Sequence, residues 1–211
     1  MGNLQSELND FSVSIRHKMH GGSLVIRYPR RLTEAEFQAF CSENRELRIE
    51  QDKNGNLLVM PPVDTDGGLY EDEVHGQLYV WRTQSGTGYS FSPTTGFKLP
   101  DGSTRSADGA WATAEKVKAL TPQQRKKFAP LVPDFVIEIR SASDRLGKLK
   151  KKMTETWLAN GVRLAWLIDP KAKKTYIYRP GRPVEVLQGF DRSLSGEEVC
   201  PGFELDLRKL G

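Results

Sequence analysis

The stretch Asp134-Phe135-Val136-Ile137-Glu138-Ile139-Arg140 (DFVIEIR) is the clearest strand in the chain. Side chains of a strand alternate between its two faces. Phe135, Ile137 and Ile139 therefore share one face, and Asp134, Val136, Glu138 and Arg140 the other. A carboxylate midway along an apolar run is costly to bury unless it is paired or holds a metal, so Glu138 is the anomaly. The ordinary alternative is an edge strand with one wet face and a Glu138–Arg140 ion pair, and this stretch alone does not choose.

Downstream, a helix is expected from about Arg145 to Asn160, stopped by Gly161. Leu146, Leu149, Met153 and Trp157 form its apolar stripe. At about 100° per residue, Lys148 and Lys151 point away from that stripe, while Lys150 and Lys152 flank it on opposite sides. Both flanking lysines reach over the sheet edge, and periodicity does not separate them. Strands follow at Leu164–Ile168, Thr175–Arg179 and Val184–Leu187.

Upstream, Thr121-Pro122-Gln123-Gln124 starts a helix, with a hydroxyl cap and Pro at the first position. Strands are read at Tyr89–Ser92, at Phe97–Leu99, and through Asp108 to Trp111 after the Pro100-Asp101-Gly102 turn. A helix runs from about Gly68 to Thr83. Leu47–Gln51 and Asn56–Met60 form a hairpin about a two-residue Asn54-Gly55 turn. Thr33 to Glu36 is a capping box that opens a helix to about Ser42. Ser23–Tyr28 reads as a short strand in an N-terminal extension, residues 1–32, before a single domain, residues 33–211. This order of elements specifies an α/β chain of mixed α+β type around one central sheet.

Composition excludes several classes. The 211 residues carry 31 basic and 27 acidic side chains, a net charge of +4, with an isoelectric point near 9.0. That permits contact with a polyanion but is no basic tail. No apolar run approaches the roughly 18 residues of a membrane span. MGNLQSELND lacks the charged start and apolar core of a secretory signal, so a cytoplasmic location is expected. Cys41 and Cys200 are far apart, and His17, His20 and His75 show no metalloprotease spacing, so a disulfide framework and a zinc site are not expected.

Asp108, in TRSADGAW, is the second anomaly. Its neighbours Ala107, Gly109 and Ala110 are small enough for a ligand to approach the backbone, although Asp-Gly is also a common turn pair. An Asp and a Glu on separate strands can bind a hard divalent cation through oxygen. Beside a phosphodiester such an ion is a hydrolytic device. A nearby Lys would orient water and stabilise the transition state.

APLVPDFVIEIRSASDRLGKLKKKMTETWLANGVRLAWLIDPKAKKTYIYRPG closely resembles the Uma-two family of restriction-type endonucleases. The likeness extends to LRIEQDKNGNLLVMPPV, TGFKLPDGSTRSADGAW and PGFELDL, and covers residue 33 or so to the end. The family is similar in fold to the PD-(D/E)XK nucleases, which implies a restriction-endonuclease-like central mixed β-sheet flanked by helices. It also implies Mg²⁺-dependent phosphodiester cleavage; the expected substrate is double-stranded DNA, cut by a homodimer, with Mn²⁺ as a substitute ion. Asp108 and Glu138 then correspond to the metal-binding carboxylates, and Glu73 to a glutamate completing the metal shell. Arg140 stands where the superfamily has its lysine, and arginine is a poor replacement because it is bulkier and always charged. The family's lysine matches Lys152, with Lys150 and Arg140 as substitutes. Ala107 replaces the proline expected before Asp108, and Asp134 shares a strand with Glu138, so Pro133-Asp134 is not that motif. Asp169 reads as a strand-end turn residue, and Trp157, Trp166 and Phe135 as core aromatics. The rival reading is a non-catalytic nucleic-acid-binding or structural relative of the same fold.

Overall fold

The computed structural model describes residues 23–28 and 30–211. His17, His20 and the first 22 residues of the expected extension lie outside the described residues. In order, the chain forms β1 (Leu24–Ile26), α1 (Glu34–Glu43), β2 (Arg48–Gln51), β3 (Leu57–Met60) and the long helix α2 (Thr65–Ser85). Next come β4 (Tyr89–Phe91), β5 (Phe97–Lys98), β6 (Thr104–Arg105) and β7 (Gly109–Ala112). Two short helices, α3 (Ala114–Lys118) and α4 (Pro122–Arg125), lead to β8 (Phe135–Ile139). Helix α5 (Leu146–Lys151) runs on as a π-helical turn (Lys152–Trp157) and a 3₁₀ turn (Leu158–Asn160). β9 (Leu164–Asp169), β10 (Lys174–Tyr178), β11 (Glu185–Gln188), β12 (Ser193–Ser195) and β13 (Glu204–Asp206) follow.

β8 is a central strand, with every residue buried, in a six-stranded sheet of order β11-β10-β9-β8-β7-β4. It pairs parallel to β9 and antiparallel to β7. The alternation of DFVIEIR explains why. Phe135, Ile137 and Ile139 pack with Val74 and Leu78 of α2 and with Phe203. Val136, on the opposite face, packs with Met153 and Trp157. A strand covered on both faces cannot be the wet edge strand that Glu138 alone would have allowed.

The single central sheet expected from the element order is corrected in one respect. A second, five-stranded antiparallel sheet, order β1-β3-β2-β6-β5, stands beside the first. The segment read as one strand through Asp108 is in fact two. β6 extends the β2–β3 hairpin, with Gln51 opposite Thr104, whereas β7 joins the larger sheet. Ser106 to Asp108 is therefore the crossing between the sheets, and local propensity does not reveal which sheet each half will join. The hairpin turn also differs. Asp52 N–H bonds Asn56 O at 2.9 Å, which leaves the three-residue loop Lys53–Gly55, and Gly55 takes φ 86°, the left-handed position that such loops give to glycine.

The caps follow the sequence closely. Thr33 and Glu36 make the reciprocal capping box of α1, and Thr121 with Gln124 that of α4. Among the described residues no helix is long and apolar enough to cross a membrane.

Candidate active site

β8 places Glu138, 4 % exposed, on the floor of a cleft of about 630 Å³. Gly109 lies opposite Ile137 in the β7–β8 register. One step beyond the end of β7, Asp108 lies beside Glu138, and both line the cleft. Asp108 is also where backbone pairing stops. Its Oδ2 accepts the Ile139 N–H at 2.8 Å, so the side chain takes the place of the next ladder carbonyl. Its Oδ1 accepts from Arg48 Nη2 at 3.2 Å, and the other guanidinium nitrogen lies 3.7 Å from Glu71 of α2.

Lys152 supplies the cation. Its Nζ is 2.8 Å from Glu138 Oε1, 3.4 Å from Glu50 Oε1 and donates to Ser106 O at 3.1 Å. The Trp157 indole N–H donates to the same Glu138 Oε1 at 2.7 Å. Glu50, on β2, accepts from Ser106 N–H and Ser106 Oγ–H, each at 3.0 Å, and from Arg105 at 2.8 Å. Burial works to neutralise Lys152, but Glu138 and Glu50 more than offset it and raise its pKa. It is held as an ammonium, so it can donate and stabilise charge but cannot serve as a base.

Three residues expected at or near the site lie elsewhere. Glu73 is turned away, bonded by Gln77 at 3.0 Å and paired with Lys209 at 3.4 Å. Two residues along a helix rotate by about 200°, so when Glu71 faces the cleft, Glu73 cannot. Arg140 pairs with Asp169 at 2.7 Å, tying β8 to the end of β9, where Asp169 also caps the turn through Ala172 N–H. Lys150 lies 4.1 Å over the Tyr176 ring, a cation–π contact away from the cleft. Of the flanking lysines, Lys152 alone meets Glu138.

A family model described as "Putative restriction endonuclease" matches residues 34–208. The chain belongs to this family, Uma2. Five chains of solved structures match as well. One is a crystal structure of "a putative nuclease belonging to DUF820" from Anabaena variabilis ATCC 29413, with a TM-score of 0.65 and 19% identity, over 77% of this chain and 88% of that one. At that identity the likeness establishes the fold, a mixed α+β, restriction-endonuclease-like architecture. No curated protein matches.

The Uma2 chain's site includes groups that sequence reading passed over: Arg48, Glu50, Glu71, Ser106 and the indole of Trp157. A signal existed for two of them. In Leu47–Gln51, Arg48 and Glu50 share the face opposite Ile49, the same charged-in-strand anomaly that marks Glu138. Nothing local marks the others.

Whether a divalent cation suits this Uma2 site can be judged from its charges. Among the described residues no three His, Cys, Asp or Glu side chains converge as a cage. Mg²⁺, however, takes one or two carboxylates and fills its shell with water and substrate oxygens, so a pair suffices. No described donor bonds Glu138 Oε2. Acids outnumber cations among the residues lining the cleft, nine to seven. Burial pushes the Glu138 carboxyl up, Lys152 pulls it down, Asp108 and Glu50 push it up again, and it settles at about 7. The site is short of positive charge, and the Asp108–Glu138 pair fits a small divalent cation.

That shift has a measurable sign. A carboxyl raised in the folded state binds its proton more tightly than in the unfolded chain, so stability falls as pH rises from the ordinary carboxylate value towards 7. Without added divalent cation, the loss between about pH 5 and pH 8 is expected to be on the order of 3 kcal/mol. Urea denaturation at the two pH values checks it, with Glu138→Gln as the comparison. The Gln variant should lose most of the slope, and equal slopes would refute the assignment.

Proposed function

We propose that this Uma2 protein is a Mg²⁺-dependent endonuclease that hydrolyses phosphodiester bonds of double-stranded DNA in the cytoplasm, with Mn²⁺ able to replace Mg²⁺. The observation that carries the reading is that Asp108 and Glu138 line one cleft, close enough for Asp108 to push the Glu138 carboxyl up, with the Lys152 ammonium on Glu138. A groove that merely held DNA would be expected to match phosphate with cations. Here the lining has an excess of acids, which favours the catalytic reading over a binding or structural relative.

Asp108 and Glu138 would hold the ion, which when bound polarises a phosphodiester and lowers the pKa of a water molecule. The chain's own groups do the remainder. Lys152, protonated and anchored by Ser106 O, sets its positive charge beside the attacking water and the developing negative charge. Exposed Arg27, Lys53, Lys148 and Lys151 line the same cleft and bind the backbone phosphates flanking the cut. One such centre cuts one strand, so a double-strand break calls for two copies, as in a homodimer.

The test is incubation of supercoiled plasmid and of single-stranded DNA with Mg²⁺ or Mn²⁺, beside Asp108→Ala and a chelator control. Nicked and linear plasmid should appear with the wild-type protein and metal alone. Plasmid retarded but uncut would favour the binding relative, and equal cutting by wild type and Asp108→Ala would remove the site assignment.

A further inference from the structure

The helix over the cleft changes type at its functional residue. From Lys152 to Trp157 it is a π-helical turn, a form that occurs mostly as single turns and often at functional sites. In an α-helix, residues five apart diverge by about 140°. In a π turn the hydrogen bonds run from i to i+5, so residue i+5 lies close to the same face as residue i. Lys152 and Trp157 are five apart, and both donate to one atom, Glu138 Oε1, at 2.8 Å and 2.7 Å. The ammonium also lies 5.7 Å from the centre of the indole ring.

We infer that Trp157, brought round by the π turn, is the positioning residue of Glu138: with Lys152 it pins Oε1, so that Oε2 would be the oxygen to hold the cation. Trp157 is fully buried, so its ring orientation is set by packing and its N–H is a fixed donor. A Phe would fill most of the same space without that donor. Partners of this kind orient a ligating carboxylate without touching the ion, and their loss weakens metal binding by about 10- to 100-fold. The inference rests on the nuclease reading above and assigns a role within it.

The experiment is Mn²⁺ titration, with Mn²⁺ alone as the probe, of the wild-type protein, Trp157→Phe, and a variant with the exposed Thr154 deleted to restore α-helical spacing. Circular dichroism verifies folding. Trp157→Phe is expected to bind Mn²⁺ about tenfold more weakly or worse, and its plasmid cleavage should recover at high Mn²⁺, a rescue that general loosening of the core would not give. The deletion should weaken binding at least as much, because ammonium and indole can no longer reach one oxygen. Should the deletion variant not fold, Trp157→Phe carries the test. Equal Mn²⁺ affinity in wild type and Trp157→Phe overturns the positioning role alone. Absence of Mn²⁺ binding by the wild-type protein overturns the nuclease reading, and this inference with it.

Discussion

Glu138→Gln and Lys152→Met should each reduce plasmid cleavage by at least about 10³-fold while moving stability in opposite directions. The loss of activity has a shared cause. Glutamine is a weak ligand for a hard cation, and methionine offers neither charge nor hydrogen bond to the water and the leaving oxygen. Stability separates the two. Glu138 is a buried acid whose charged form is penalised by burial, with Asp108 and Glu50 adding to the cost. Glutamine removes that penalty and still accepts from Trp157 and Lys152, so at pH 8 the variant should be as stable as the wild type or more so. Lys152→Met instead leaves Glu138 without its nearest cation and Glu50 with Arg105 alone. Removing one partner of a buried pair costs about 3–5 kcal/mol, eased where Glu138 takes up a proton. The deficit should therefore be larger at pH 8 than at pH 5. Cleavage assays and urea denaturation at both pH values read the two effects. Wild-type cutting by either variant would eliminate that residue from the chemistry, and parallel stability losses would refute the electrostatic account.

The parts of this site that were legible in the sequence share a property: each is a local contradiction. Glu138 breaks an apolar alternation that only burial on both faces explains. The capping box at Thr33 and the hydroxyl cap at Thr121 are local hydrogen-bond patterns, and they fold as read, with Gln124 completing a second box. What was not legible depends on arrangement. α2 carries Asp66, Glu71, Asp72 and Glu73 in close succession, and which of them faces the cleft depends on how the helix docks. Glu71 is chosen by docking, not by residue type. The break at Ser106–Asp108 needs the first hairpin to capture β6, a long-range event. No residue type announces the π turn, and an ideal helix puts Lys152 and Trp157 on different faces. Lys150 and Lys152 were equivalent by periodicity until the sheet supplied an acid to one and a tyrosine ring to the other.

Substitution of Glu50 is expected to have the largest effect on folding. Glu50 is 3 % exposed and belongs to the five-stranded sheet, as does its partner Arg105, yet its other partners come from elsewhere. Ser106 lies on the crossing between the sheets, and Lys152 on the helix that covers the other sheet. Burial pushes its carboxyl up, but Lys152, Arg105 and the Ser106 N–H together hold it down at about 2. Glu50→Gln would set an amide N–H₂ among donors, leave the nearly buried Arg105 without its acid and leave Lys152 with Glu138 alone. That should cost about 3–5 kcal/mol and lower the melting temperature by about 10 °C. Glu155→Gln, an exposed acid in the same cleft, should change stability by less than about 0.5 kcal/mol. The pH dependence has the opposite sign to that of Glu138. A carboxyl depressed in the folded state stabilises above its ordinary value and loses that contribution as pH falls towards 2. The gap between wild type and Glu50→Gln should therefore be full at pH 7 and shrink below about pH 4.5. Thermal and urea denaturation across that range decide the matter. An unchanged melting temperature for Glu50→Gln would mean that some other contact joins the sheets, and that Lys152 is held in place without its second acid.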